Sequence, residues 1–233
     1  ISSSAHLILI SKYFNFSSEN LTLDVSLHLG SFLAIIIYFK KDLLDFINNK
    51  NLFLKLILSS VPVIIFGFIL IKLNLIDNLR NYKVIGWSTI VFGIFLYFCD
   101  RSKIKNTLNK DFNYNTALYI GLFQVLSLIP GVSRSGITIS GARFFNYSRS
   151  DSVKISFLLS IPTLGVVSLF NIQQLILQGD LFFSLLNLFG IFLSFLFSYM
   201  TIKFLIKFLQ KFSLITFVVY RIIFGLIILF YAY

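Results

Sequence analysis

The chain has 233 residues, of which 57% are apolar and 18% aromatic but only 12% charged. Soluble domains carry roughly 25% charged residues, so the supply is about half of what a water-facing surface needs, and the composition excludes a soluble enzyme, a secreted disulfide scaffold and a disordered regulator. The lone Cys99 excludes an intramolecular disulfide and a cysteine-based zinc site.

Along the chain, apolar spans fall near 25–39, 56–71, 84–98, 152–170, 182–202 and 214–232. Two shorter apolar pieces, 1–10 and 115–145, are interrupted by polar and small residues. Nothing alternates as a strand and no polar linker separates two units, so the expectation is an all-α polytopic membrane protein in a single domain, residues 1–233. The chain begins at Ile1 with no basic n-region, which reads as a missing upstream segment, not as a signal peptide.

Twenty Lys and Arg against nine Asp and Glu give a net charge of +11. On a soluble protein this would suggest nucleic acid. Here the basic residues sit between apolar spans, and the expectation is no nucleic-acid partner. When the loops alternate sides, one side collects 14 basic residues, in 40–55, 100–111, 143–154 and 203–211, and the other collects four, Lys12, Lys72, Arg80 and Lys83. The richer side is read as cytoplasmic. Arg134 and Arg221 lie inside apolar segments. The alternation works only if 115–145 enters and returns on the cytoplasmic side and 1–10 returns outside. Both pieces are therefore expected to be re-entrant hairpins, buried in protein or lining a wet cavity.

The two pieces also resemble each other. Residues 1–8, ISSSAHLI, align without gaps on residues 132–139, VSRSGITI, and each is followed about twenty residues later by an Asp, Asp24 or Asp151, ahead of a span. With opposite openings the halves form inverted repeats, an arrangement that places binding sites near the midplane with helix N-termini aimed at an anion.

The chemistry concentrates in these two pieces. In 130–138, PGVSRSGIT, Pro130 ends one helix, and Gly131 and Gly136 permit an open turn whose N–H groups form an anion nest. Ser133, Ser135 and Thr138 add hydroxyls, and Arg134 adds a planar fork suited to phosphate oxygens. A packing turn with a snorkelling Arg is the competing reading, and it does not need the hydroxyls and the glycines. In 2–6, SSSAH, helical spacing sets Ser3 and His6 on one face, as nucleophile activation or acid–base work requires, although on spacing alone a helix cap followed by a packed His is the better fit. His28 reads as a buried, hydrogen-bonded histidine. Arg221 fits either a second phosphate ligand or an ion-pair member, and Gln124 fits a cavity-lining amide. The chain has one Glu, Glu19, and no pair of acids at helical spacing within an apolar segment, so no metal site is expected from its own residues.

These stretches resemble the BacA-type undecaprenyl-diphosphate phosphatases of bacterial inner membranes. Residues 1–7 are similar to the end of the first signature of that family, E-G-x-T-E-F-L-P-[IV]-S-S-[ST]-[GA]-H. Residues 24–30 are similar to the start of its next span, and 130–138 to its P-G-x-S-R-S-G-x-T signature. The similarity continues through Ser140-Gly141, 157–162 and Tyr220-Arg221. The resemblance implies interlocked inverted repeats with two re-entrant hairpins. It also implies removal of the terminal phosphate of undecaprenyl diphosphate, which recycles the lipid carrier for peptidoglycan synthesis and confers bacitracin resistance. By resemblance Ser3, His6 and Arg134 are catalytic, and Ser133, Arg134, Ser135, Gly136, Thr138 and Arg221 bind substrate. A divalent cation, Mg²⁺ or Ca²⁺, is implied through two glutamates that the family carries just before the stretch matching Ile1. The other partners expected are the polyprenyl diphosphate, membrane lipids and a second copy in a homodimer, with the active site facing the periplasm. The rival from another class is an inverted-repeat transporter or flippase for an anion or phosphorylated lipid.

Overall fold

The computed structural model describes residues 21–48, 50–73, 75, 79, 81–178 and 185–233. Among them the helices are α1 (Leu21–Tyr38), α2 (Lys40–Asn48), α3 (Lys50–Lys72), α4 (Tyr82–Asp100), α5 (Leu108–Asp111), α6 (Tyr114–Val125), α7 (Arg134–Phe144), α8 (Arg149–Gln178), α9 (Leu185–Lys211) and α10 (Ile215–Ala232). No β-strand occurs among the described residues; Asn106 and Tyr147 form an isolated bridge. Polar residues set the starts of three helices. Asn81 accepts from the Val84 amide at 2.8 Å, Asn113 from Thr116 at 2.8 Å and Ser148 from Asp151 at 3.0 Å.

Five helices are long and apolar enough to cross a bilayer: α3, α4, α10, residues 149–170 of α8 and residues 187–211 of α9. The sixth expected span, 25–39, is α1, whose apolar stretch Val25–Tyr38 is shorter. Its 18 residues reach about 27 Å at a rise of about 1.5 Å per residue, a little less than the hydrocarbon thickness of about 30 Å. The chain is a multi-pass membrane protein.

The basic loops meet on one face. Lys154 pairs with Asp42 at 2.5 Å, Lys55 donates to the Phe112 carbonyl at 2.6 Å, and the Leu214 amide donates to Asp100 at 3.2 Å. At the opposite face, Lys83 at the start of α4 lies over the Tyr233 ring beyond α10. Among the described residues, the span ends at 42, 55, 100, 112, 154 and 214 thus gather on one face, as the alternation read from charge requires.

The helices pair reciprocally. α1 packs on α9 and α8 packs on α3, while α1 meets α8 and α4 meets α10. Exchanging α1 with α8, α3 with α9 and α4 with α10 leaves these four pairings unchanged. α1 ends on the basic face and its counterpart α8 begins there, so the halves are inverted and interlocked. Hydroxyls join the pairs where helices approach closely: Ser31 bonds both Ser194 and Ser198 at 3.0 Å between α1 and α9, and Ser59 donates to the Ala117 carbonyl at 2.7 Å between α3 and α6.

α6 and α7 have 12 and 11 residues, each too short to cross a bilayer. The chain entering α6 and the chain leaving α7 come back together, with the Phe112 and Tyr147 rings 6.3 Å apart. Residues 115–145 therefore form the expected re-entrant hairpin, opening on the basic face. Its counterpart expected at 1–10, with the catalytic expectations Ser3 and His6, lies outside the described residues.

Candidate functional site

The hairpin tip, residues 129–133, is irregular backbone deep in the helical bundle, where each unpaired polar group costs several kcal/mol in the absence of water. The fold supplies partners from two helices. Ser88 on α4 donates to the Pro130 carbonyl at 2.5 Å, Thr89 donates to the Gly131 carbonyl at 3.3 Å, and Arg221 Nη2 on α10 donates to the same carbonyl at 2.8 Å. Gly131 has φ of +94°, and a Cβ there would stand 2.6 Å from the Ile85 carbonyl and 2.9 Å from Thr89 Oγ1. Only glycine meets both demands.

Ser133 follows with φ of +68°, a left-handed value at which a side chain is strained. Its hydroxyl accepts from the Gly136 amide at 3.2 Å and its carbonyl from the Ile137 amide at 2.9 Å, which caps α7. The amides of Arg134 and Ser135 belong to the first turn and have no partner within the helix. The Ser135 hydroxyl lies 3.4 Å from that of Ser133. Two amides, two hydroxyls and the positive end of a helix dipole thus converge at one point.

The structure divides the expected binding residues between two faces of α7. Ser133, Ser135 and Gly136 join Arg221 around a cavity of about 40 Å³ whose remaining wall is apolar, with Leu96 and Leu209. It has room for a water or a small polar group, not for a lipid chain. Arg134 turns to the other face, where Nη1 donates to Thr163 on α8 at 3.0 Å. Thr163 in turn donates to the Leu159 carbonyl at 3.1 Å, in the turn that Pro162 deprives of an amide donor. Among the described residues Thr163 is its one hydrogen-bond partner, against the five donors a guanidinium carries. Thr138 also faces α8, its hydroxyl 2.7 Å from that of Ser156 and almost fully buried; it does not line the cavity with Ser133.

Arg221 is buried and forms no ion pair among the described residues. Its Nε donates to the Thr89 carbonyl at 3.3 Å and its Nη2 to that of Gly131, while Nη1 packs so close to Gly136 that a Cβ there would stand 2.6 Å away. It braces the turn between α4 and α7. His28 on α1 is half-buried, not fully buried as expected. Gln124, near the end of α6, is fully buried and neither amide atom has a hydrogen-bond partner among the described residues. No three His, Cys, Asp or Glu side chains come together among the described residues, so those residues do not make a site for the implied divalent cation.

Sequence reasoning missed two groups. Thr163, the partner of Arg134, is one residue past the quoted 157–162 stretch and carries no motif of its own. Asp100 ends an apolar span and reads there as a boundary. In the fold it takes Arg149 bidentately, at 2.7 and 2.9 Å, with Arg143 at 3.6 Å. Arg143 and Arg149 had signified only loop charge. Beside them Tyr147 is fully buried, and burial pushes its hydroxyl up to about 12.

These features define a class: a helical multi-pass membrane protein with inverted halves, in which a re-entrant hairpin holds a helix N-terminus, hydroxyls and a free arginine fork inside the bundle. The family described as bacitracin resistance protein BacA matches residues 1–227. An undecaprenyl-diphosphatase of Pelagibacter ubique is 49% identical over 236 residues, covering 100% of this chain and 91% of the relative. Undecaprenyl-diphosphatases of Jannaschia sp. and Alcanivorax borkumensis are 35% and 37% identical, covering 100% and 99% of this chain and 92% of each relative. The chain belongs to the BacA family.

Proposed function

We propose that this protein is a membrane hydrolase that converts undecaprenyl diphosphate to undecaprenyl phosphate, with the diphosphate held at the tip of the 114–144 hairpin. Family membership across nearly the whole chain carries the reaction. The observation that favours the tip as the binding locus is Arg134, in the bundle with a single neutral hydrogen-bond partner among the described residues. An arginine there is costly, and an anion is the natural complement to its open donors. In this reading the diphosphate lies across the α7 N-terminus. The free amides and Arg134 bind it on the α8 face, Arg134 neutralising charge that grows on the leaving phosphate. The Ser133 and Ser135 hydroxyls hold one oxygen or a water in the small cavity on the other face. Thr138 and Arg221 act by position, one fixing α7 on α8 and the other bracing the Gly131 turn. Ser3 and His6 are assigned the reacting roles, a hydroxyl or imidazole working with acid–base transfer. The transporter reading has no specific support, since the relatives matched are phosphatases by name.

The membrane is the bacterial inner membrane, with the basic loops in the cytoplasm by the positive-inside rule and the reaction opening toward the periplasm. A divalent cation would neutralise diphosphate charge, and no step above depends on one. Phosphate release from undecaprenyl diphosphate by the purified chain in detergent tests the proposal. Arg134→Ala should lower release by about 10²–10³-fold and His6→Ala should abolish it, with lipid binding retained in His6→Ala. Unchanged turnover in both variants overturns the site. Chelation followed by Mg²⁺ or Ca²⁺ add-back tests the cation, and release that ignores both removes it.

A further inference from the structure

On the face where the basic loops meet, away from the hairpin tip, lies an open pocket of about 340 Å³. Arg101, Arg143 and Arg149 line it around Asp100, the one carboxylate in its wall. Three guanidinium groups against one carboxylate leave two positive charges. Asp100 is committed: Oδ1 takes Arg149 Nε, and Oδ2 takes both Arg149 Nη2 and the Leu214 amide. The nearby Asp111 and Asp151 are engaged as well, accepting from the Thr107 and Leu108 amides. Arg101 is left exposed, its guanidinium over the Tyr97 ring at 4.6 Å, with no carboxylate partner among the described residues.

The position of the pocket tells what sort of anion fits. It sits where α4 ends and α10 begins, at the level where spans leave the hydrocarbon, and its rim carries Ile104 and Ile215, 66% and 49% exposed. Arginine forks beside an apolar rim at this depth match a ligand that is anionic at its head and apolar just behind it. We propose that this pocket binds the phosphate of an anionic phospholipid from the leaflet on the basic side, with Arg101 and the outward donors of Arg149 as its ligands. Such a lipid joins α4, the end of the hairpin, α8 and α10, the elements that Asp100 already ties together. The site is separate from the proposed reaction site, and its test does not read hydrolysis.

The experiment uses the purified full chain in detergent, with phosphatidylglycerol, phosphatidylcholine and inorganic phosphate as probes, read by native mass spectrometry and by thermal unfolding. Phosphatidylglycerol should be retained about fivefold more strongly than phosphatidylcholine, the factor expected for one basic contact near a membrane surface, and should raise the Tm. Arg101→Gln should erase that preference, Arg101→Lys should keep most of it, and Lys40→Gln with Lys41→Gln, on the same face but outside the pocket, should leave it intact. Equal retention of the two lipids overturns the proposal, as does a preference that survives Arg101→Gln. Protection by inorganic phosphate alone, with no added effect of the lipid, also overturns it, by assigning the pocket to a free anion.

Discussion

The hairpin carries an arginine at each end of α7, and the two are treated in opposite ways. Arg143, only 2% exposed, donates to the carbonyls of Tyr147, Asp100 and Ser102 and stands beside the Asp100 carboxylate. Burial lowers the pKa of its guanidinium and Asp100 opposes the shift. Arg134, nine residues earlier, has one hydroxyl for a partner and no carboxylate among the described residues. Both sit in a short apolar helix where an uncompensated charge is expensive. A buried arginine whose donors end on its own protein is an anchor, and Arg134, with one such bond among the described residues, is the one the proposed function gives to the diphosphate. Arg221 falls with the anchors, because two of its nitrogens end on carbonyls.

The largest effect expected from this contrast is on stability. Asp100→Ala leaves two guanidinium groups unpaired and should cost about 3–5 kcal/mol, seen as a steep loss of Tm in detergent; an unchanged Tm breaks the anchor assignment. At the other end, Arg134→Ala should lower phosphate release by about 10²–10³-fold, as loss of one preorganised donor does, while Tm moves little. A variant that unfolds instead would make Arg134 an anchor too.

Gln124→Met sharpens the comparison from a neutral residue. It removes two buried polar atoms without partners at similar volume and should stabilise the protein by about 1–3 kcal/mol; a lower Tm would mean that the amide is satisfied. Thr138→Val should cost about 1 kcal/mol through the lost bond to Ser156 and leave phosphate release near the wild-type rate. A large loss of rate with little change in Tm would return Thr138 to the ligand face.

The last effect, confined to alkaline pH, is a pH dependence. Tyr147 has its pKa raised from the ordinary value of 10.0 to about 12, so the fold favours the neutral phenol. Its contribution is fully present below the unfolded pKa and is lost as pH rises through the folded one. Tm should therefore fall over that alkaline window, and Tyr147→Phe should flatten the decline.

Much of the fold was legible because hydropathy and charge act locally. Long apolar runs must be helices in a bilayer, and lysines and arginines mark the loops that stay on one side. That was sufficient to turn 115–145 back on itself before any coordinate was known. The turn within 130–138 was legible too, since Pro130, Gly131 and Gly136 shape it through their own backbone chemistry, but its division into two faces was not.

The sequence by itself therefore determined the helical membrane class, the gathering of the described basic loops on one face and the turn at 130–133 that reverses the hairpin. Which arginine is free and which is tied was decided only by tertiary structure. Arg134, Arg143 and Arg221 are chemically the same side chain, and their roles differ because Thr163, Asp100 and the Gly131 carbonyl reach them from elements 29 to 90 residues away along the chain. Hydrogen-bond partners at that separation leave no periodicity or motif beside the residue they satisfy, so only packing reveals them.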